Sequence, residues 1–207
     1  LELSSKYNIK VKSLCAHSLM DGGLLHSDIL NVENSKNKLL KILSWASAIN
    51  VDYVVLPIMD AMSIQNDSAK EKLKKILQEV VNSSHPIVLL ESDLNARQLM
   101  SFIDGTNMKN LGVLYDLGNA TALGFDIKSE LQILHTYIRE VHIKDRYKNN
   151  GGSMRLGNAD TQLKIAIQTL KDLSWQGSII LETPVFDDWS AEACSNYNYT
   201  FNLFSQT

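Results

Sequence analysis

The chain has 207 residues, of which 44% are hydrophobic and 21% are charged, and its net charge is −3. This composition is typical of one ordinary globular domain with a hydrophobic core. Because phosphate binding needs clustered Lys and Arg and the chain has no basic block, the charge pattern argues against nucleic acid as an obligate partner. No apolar run approaches membrane-spanning length, so no membrane partner is expected.

The N-terminus and the cysteines predict a location. The first residues lack the charged lead and apolar core of a secretory signal. Cys15 and Cys194 match neither a disulfide framework nor a zinc motif. Both features predict a reducing, cytoplasmic environment. The chain opens on Leu1 within what resembles the end of a helix, so we expect its natural beginning to lie upstream.

Strand and helix signals alternate along the whole chain. Short apolar runs bounded by polar residues predict buried parallel strands. The predicted strands are residues 11–16, 53–57, 87–91, 111–116, 140–144 and 178–182. Helical spacing of apolar residues predicts the helices between them. The predicted helices are residues 36–49, 68–81, 95–103, 127–138, 160–173 and 191–204. Pro57 is expected to end the second strand, and Ser68 to cap the second helix.

This alternation predicts the α/β class and a run of βα units with right-handed crossovers. We interpret residues 1–207 as a single (β/α)8 TIM-barrel domain. Only six strands are visible, where a closed barrel has eight over about 250 residues. An open doubly wound sheet is the alternative fold. It is disfavoured because no Gly-rich phosphate loop follows the first strand.

Four of the predicted strands end in a residue that can bind a metal. Glu91, Asp116, His142 and Glu182 stand at or near these ends. In a parallel barrel all these ends open on the face that carries the active site. One acidic residue at a strand end is ordinarily a loop-facing charge or a helix cap. Four such residues at corresponding positions favour a site for a divalent cation such as Mn²⁺, Zn²⁺ or Mg²⁺.

Several motifs carry a resemblance to a known family. They are Ser13-Leu14-Cys15-Ala16-His17, the Glu91 strand, Asp116-Leu117-Gly118-Asn119, His142-Ile143-Lys144-Asp145 and Ile179-Ile180-Leu181-Glu182. With them the chain resembles the sugar phosphate isomerase/epimerase family of xylose isomerase-like TIM barrels, nearest the L-ribulose/L-xylulose 5-phosphate 3-epimerase branch. The resemblance implies that the first two βα units precede residue 1. The chain departs from it at Gly157-Asn158-Ala159, where the family often has Gly-x-Gly.

The resemblance implies an enzyme of carbohydrate metabolism. Its divalent metal, Mn²⁺, Zn²⁺, Mg²⁺ or Co²⁺, would be held by Glu91, Asp116, His142 and Glu182. The reaction would be isomerisation or epimerisation of a ketose or ketose phosphate, by removal of a proton next to a carbonyl through a metal-stabilised enediolate. Glu91 and Glu182 are the candidate acid and base, and the sequence does not decide which acts first.

Further residues are candidates for contacts with the substrate. His17 ends the first visible strand, and Asn119 follows the metal-binding Asp by three. Lys144 alternates with His142, so it either contacts the substrate or balances a carboxylate inside the barrel. Arg155 lies in a basic loop that either binds a sugar phosphate or is solvated. Asp145 either orients a metal ligand from behind or is a solvated or capping residue.

Other functions stay open at this point. A non-catalytic or truncated remnant of the barrel is the main alternative, and a dehydratase on the same scaffold is a close variant. An apurinic endonuclease-like phosphodiesterase is disfavoured, because Asn119 stands where that enzyme would need a further His. The expected partner is a small sugar or sugar phosphate, and a homo-oligomer is compatible with the sequence.

Overall fold

A computed structural model of the protein describes residues 2–81 and 86–206, and they form an α/β fold. The strands β1 to β8 are Ser13–Cys15, Tyr53–Ile58, Ile87–Ser92, Leu111–Asp116, Ile138–Ile143, Asp145–Arg146, Ser153–Met154 and Ser178–Leu181. The helices α1 to α8 are Glu2–Tyr7, Ile29–Ala48, Asp67–Val80, Ala96–Thr106, Leu117–Ala122, Ile127–Leu134, Leu163–Asp172 and Trp189–Gln206. The predicted α/β class is therefore confirmed.

The six predicted strands and six predicted helices are all present, but several ends differ from the prediction. Pro57 does not end β2. It lies inside the strand in register with Glu91 of β3, and β2 continues to Ile58. Helix α3 begins one residue before Ser68 and is capped by Asn66, whose side chain accepts the N–H of Ala69 at 2.9 Å.

Helix α2 also begins earlier than predicted. The Asp28 side chain accepts the N–H of Leu30 at 2.9 Å, which caps the helix at Ile29. Helix α5 and the two-stranded ribbon of β6 and β7 were not predicted. Both are too short for hydrophobic periodicity to reveal them.

The chain divides into two compact units, and the first comprises the residues up to 94 together with 98–113. Within it β1, β2, β3 and the beginning of β4 pair in parallel, in that order. Every residue of β2 after Tyr53 is buried, as expected for a strand covered on both faces. Helix α3 buries Leu73, Ile76, Leu77 and Val80 along one face.

The second unit comprises residues 95–97 and the residues from 114 onward. Its strand β5 pairs in parallel with β8, with Val141 opposite Ile179 and Ile143 opposite Leu181. Val141 and Ile143 are fully buried. Their neighbours in sequence, at alternate positions, point to the opposite face of the strand. The alternation therefore sends Glu140 and His142 to one common face of β5, and Lys144, which directly follows the strand, continues the same alternation.

Candidate metal centre

The second unit brings three of the four predicted metal ligands together. Asp116 is the last residue of β4, His142 is the penultimate residue of β5, and Glu182 directly follows β8. One ligand atom from each of these residues lies within 4.8 Å of the other two. Two carboxylates and an imidazole that converge in this way form a donor set suited to Zn²⁺, Mn²⁺ or a similar divalent cation. The residues present therefore fit the predicted metal.

The three side chains differ in their access to solvent. The side chain of Asp116 is 1% exposed, that of His142 is 14% exposed, and that of Glu182 is 48% exposed. The cluster thus has a closed end at Asp116 and an open end at Glu182.

Asp116 also ends its strand and starts the next helix. Its Oδ1 accepts the N–H of Asn119 at 2.8 Å, which caps α5. Its Oδ2 faces Lys144 at 3.3 Å. Burial raises the pKa of Asp116, and the Lys144 ammonium and the Asn119 N–H oppose that rise. One carboxylate oxygen is therefore committed to the fold, and the other faces the cluster.

Lys144 lies between the two carboxylates of the cluster. Its Nζ is 2.9 Å from Oε1 of Glu182 and 3.3 Å from Oδ2 of Asp116. Burial alone would lower the pKa of Lys144, but the two carboxylates outweigh burial and raise it. Of the two roles that the sequence left open for Lys144, balancing an internal carboxylate is the one for which the structure gives contacts.

Gly118 explains why the Asp-x-Gly-Asn and His-x-Lys-Asp motifs occur together. A Cβ at Gly118 would lie 2.7 Å from Cγ and 2.9 Å from Cβ of Lys144, closer than such atoms approach. The lysine side chain passes directly over the glycine, so the small residue in one motif makes room for the long side chain of the other.

His142 is held on both sides by carboxylates. Its Nδ1 is 2.8 Å from Oε2 of Glu182, and its Nε2 is 3.5 Å from Oε1 of Glu140. Burial would lower the pKa of His142, but the two carboxylates dominate and raise it to about 9. Burial likewise would raise the pKa of Glu182, but contacts with His142 and Lys144 lower it to about 2. Glu182 is therefore ionised at neutral pH.

Asn119 and Asp145 both have defined partners in the fold. The amide oxygen of Asn119 accepts a hydrogen bond from Nη1 of Arg146 at 2.7 Å. Asp145 is fully buried, and its carboxylate accepts the backbone N–H groups of Gly157, Ala159 and Thr161 at 2.8 to 3.0 Å. Asp145 thus holds the loop after β7 in place. Its predicted role in orienting a metal ligand stays a prediction. The predicted contact of Asn119 with a sugar hydroxyl also stays a prediction.

The structure shows why Gly157-Asn158-Ala159 can replace Gly-x-Gly in this loop. Gly157 has a φ of +87°, a conformation that favours glycine, and a Cβ there would lie 2.9 Å from the hydroxyl of Tyr199. Ala159 is not among the residues of positive φ. Its N–H still reaches Asp145 at 3.0 Å. The alanine is therefore compatible with the loop geometry.

Arg155 is engaged by two acidic residues. Its Nη2 lies 2.6 Å from Oδ2 of Asp187 and 2.9 Å from Oε1 of Glu192, and its guanidinium sits 4.7 Å from the ring centroid of Phe186. These contacts connect the loop after β7 to the first turn of α8 and to the segment that precedes it. The predicted contact of Arg155 with a sugar phosphate stays a prediction.

Glu91 and His17 belong to the first unit. Glu91 lies in β3, half-buried, in register with Pro57. His17 begins a short 3₁₀ turn directly after β1 and is exposed. The roles predicted for them, as metal ligand and acid or base for Glu91 and as substrate contact for His17, stay predictions.

Sequence reasoning missed Glu140 as a member of this site, and it considered Arg146 only as one cation of the basic loop that contains Arg155. Glu140 is fully buried beside the imidazole of His142. Arg146 orients Asn119 and also donates from Nε to the carbonyl of Gly151 at 3.0 Å. The alternation of Glu140, His142 and Lys144 along one strand was a signal that could have revealed Glu140. No local pattern in the sequence predicts that Arg146 contacts Asn119.

A family model described as the xylose isomerase-like TIM barrel matches residues 1–197. The chain belongs to this family. The TIM-barrel class predicted from the strand pattern and the family predicted from the motifs are thereby confirmed. No curated protein matches the chain in sequence.

Several solved structures share this fold. A xylose isomerase domain protein from Planctomyces limnophilus has a TM-score of 0.79 and 19% identity, over 99% of this chain and 81% of that chain. The IOLI protein with a bound zinc atom has a TM-score of 0.77 and 18% identity, over 99% and 81%. An L-ribulose 3-epimerase has a TM-score of 0.74 and 14% identity, over 90% and 72%. At such identities the likeness establishes the fold alone.

Among the described residues, none of the helices combines the length and apolar character needed to cross a bilayer.

Proposed function

We propose that this xylose isomerase-like protein is a metal-dependent epimerase or isomerase of a ketose. The observation that carries the proposal is the convergence of Asp116, His142 and Glu182, whose ligand atoms lie within 4.8 Å of one another at the ends of parallel strands. Glu91, at the end of β3, is proposed as the fourth ligand. The solved relatives support the proposal, since one is named an L-ribulose 3-epimerase and another binds zinc.

The chemistry required is the removal and return of a proton next to a carbonyl. A bound divalent cation would supply the positive charge that stabilises the enediolate formed in this reaction. Glu182 is the better exposed carboxylate of the cluster, and its contacts with His142 and Lys144 keep it ionised at neutral pH, as a base must be. Glu91 would exchange the proton at the other face of the substrate.

Lys144 and Asn119 would complete the substrate site. The Lys144 ammonium sits between two carboxylates, where it can donate a hydrogen bond to a substrate oxygen that lies against Glu182. Asn119 is held by Arg146 in a fixed orientation next to Asp116. Fixed donors of this kind position a polyol substrate without reorganising during the reaction.

An unphosphorylated ketose is the substrate class that we favour over a ketose phosphate. Arg155, the cation predicted to hold a phosphate, is neutralised by Asp187 and Glu192 at 2.6 and 2.9 Å. A phosphate would have to displace two carboxylates from that guanidinium, which costs charge-assisted hydrogen bonds.

The proposal is tested by proton exchange. The protein is loaded with Mn²⁺ and incubated in deuterated water with a panel of ketoses and ketose phosphates, and deuterium at the carbon next to the carbonyl is measured by NMR. We expect incorporation with at least one free ketose, its loss after metal removal with a chelator, and its loss in His142→Asn. His135→Gln is the matched control, because His135 is exposed in the segment after α6.

Each outcome of this experiment has a defined meaning. Exchange with ketose phosphates alone would overturn the substrate class. Metal binding without exchange from any of the sugars would overturn the enzymatic proposal and support a non-catalytic member of the family.

Three further expectations from the sequence stay predictions. They are a single barrel domain over residues 1–207, a homo-oligomeric state and a cytoplasmic location.

A further inference from the structure

We propose that Glu140 is a positioning residue for the metal ligand His142. Its buried carboxylate faces Nε2 of the imidazole, favours a proton on that nitrogen, and thereby leaves the lone pair of Nδ1 free on the side of Glu182. This inference rests on the metal site proposed above, and it assigns a role to a residue that is itself outside the ligand cluster.

Geometry places the two acids on opposite sides of one ring. Glu140 precedes His142 by two residues in β5, so both side chains leave the same face of the strand. Oε1 of Glu140 lies 3.5 Å from Nε2, and Oε2 of Glu182 lies 2.8 Å from Nδ1. Each ring nitrogen of His142 therefore faces one carboxylate, and Nδ1 is the nitrogen that faces Glu182 and the ligand cluster.

Burial makes a passive role for Glu140 costly. The residue is 0% exposed, and within the described part of the chain neither of its carboxylate oxygens has a hydrogen-bond partner. The ion-pair contact found for it among those residues is the one with Nε2 of His142. An uncompensated carboxylate in the interior costs far more than an apolar side chain of the same size. Its remaining interaction, with the imidazole, is thus the one that can offset this cost.

The position of the ring proton explains why this contact matters for a metal. Nδ1 can bind a cation only when its lone pair is free, so the proton of the neutral ring must sit on Nε2. Glu182 next to Nδ1 favours the opposite arrangement, in which Nδ1 carries the proton. Glu140 next to Nε2 counteracts that preference. Carboxylates that act on metal-bound histidines in this way commonly change metal affinity by about 10- to 100-fold.

The test compares two substitutions of Glu140 with a matched control. Glu140→Met keeps the volume and removes the acceptor, whereas Glu140→Gln keeps an acceptor oxygen and removes the charge. The control is Glu130→Gln, a half-buried glutamate of α6 that accepts the N–H of Ala96 at 2.8 Å. Mn²⁺ affinity is measured by calorimetry at one pH, and folding by circular dichroism. We expect about 10- to 100-fold weaker binding in Glu140→Met, a smaller loss in Glu140→Gln, and no more than about a twofold change in Glu130→Gln.

A spectroscopic measurement separates positioning from a general structural effect. In the zinc-loaded protein labelled with ¹⁵N-histidine, we expect His142 to show a metal-bound Nδ1 and a slowly exchanging Nε2–H proton. That proton should be shifted by its acceptor in the wild type and should lose the shift in Glu140→Gln and Glu140→Met. This signal is read in the wild type even if Glu140→Met does not fold.

The two proposals fail in distinguishable ways. Wild-type protein that binds Mn²⁺ no better than His142→Asn would refute the metal site itself. Wild-type protein that binds Mn²⁺, with both Glu140 variants binding equally well, would overturn the positioning role alone. A zinc-bound His142 that is ligated through Nε2 would overturn it too.

Discussion

The contacts of His142 predict that metal and proton compete for one imidazole. Glu140 and Glu182 raise the pKa of His142 to about 9 in the protein without metal. A raised pKa means that the protonated form is favoured, so the proton must leave before Nδ1 can bind a cation. At about pH 7, only about one imidazole in a hundred is neutral. Metal affinity should therefore increase with pH until about 9.

The size of this effect follows from the same value. Below a pKa of about 9, each pH unit changes the neutral fraction about tenfold, so Mn²⁺ should bind about 100-fold more tightly at about pH 8 than at about pH 6. An imidazole with an ordinary pKa of about 6.5 would behave differently. Its affinity curve would flatten above about pH 7. The slope between about pH 7 and 8 thus separates the two cases.

Isothermal titration calorimetry measures both the affinity for Mn²⁺ and the number of protons released when the ion binds. Titrations of the metal-free protein with Mn²⁺, in buffers of different ionisation enthalpy, should show release of about one proton per ion at about pH 7. His135→Gln should keep the slope of the wild type, because His135 is exposed and contacts the nearby carbonyl of Gln132 rather than the metal cluster. His142→Asn should bind weakly and with a flatter pH dependence.

An affinity that changes by less than about threefold between about pH 7 and 8 would show that the carboxylates around His142 do not hold its proton. Release of no proton at about pH 7 would lead to the same conclusion.

Three further predictions concern neighbours of the imidazole. Glu182→Gln should lower turnover by at least about 100-fold. The free energy of unfolding should change by no more than about 1 kcal/mol, since the side chain is half-exposed. Kinetics and urea denaturation measure the two effects, and near-normal turnover would contradict the prediction. Gly118→Ala should destabilise the protein by about 1–3 kcal/mol, because the added Cβ would collide with Lys144. Gly105→Ala is the control and should stabilise the protein by about 0.5–1 kcal/mol, because a Cβ there meets nothing within 4 Å. Equal effects of the two substitutions in thermal denaturation would refute the steric argument. Asp145→Ala should cost about 3 kcal/mol or more, because three backbone N–H groups lose their acceptor; proteolysis of the loop after β7 should become faster, and an unchanged cleavage rate would disprove this role.

Much of the fold could be predicted from the sequence, because local hydrophobic patterns indicate its strands and helices. Buried parallel strands appear as short apolar runs, and the helices that cover them appear as amphipathic repeats. The exceptions are instructive. Pro57 was expected to end a strand, yet it lies inside β2. Helix α2 begins at the cap that Asp28 supplies, ahead of the apolar repeat. Local propensity locates an element better than it locates the ends of that element.

The site was only partly predictable. Asp116, His142 and Glu182 could be found because a ligand at the end of a parallel strand has a recognisable position in the sequence. The fourth proposed ligand, Glu91, has that position as well. The partners of Arg155 could not be found in this way, since Asp187 and Glu192 lie on another segment, where no local pattern links them to it.

By itself, the sequence determined the α/β class, the family and the residue types that stand at the strand ends. These depend on hydrophobic period and on motifs of a few residues, which are local properties. Only the tertiary structure decided which charges meet: Lys144 between two carboxylates, Glu140 behind the imidazole, and Asp145 on the amides of a distant loop. The reason is that pKa values, hydrogen bonds and steric fit depend on distance in space and on burial, and residues far apart in the chain acquire these properties only when the strands pair.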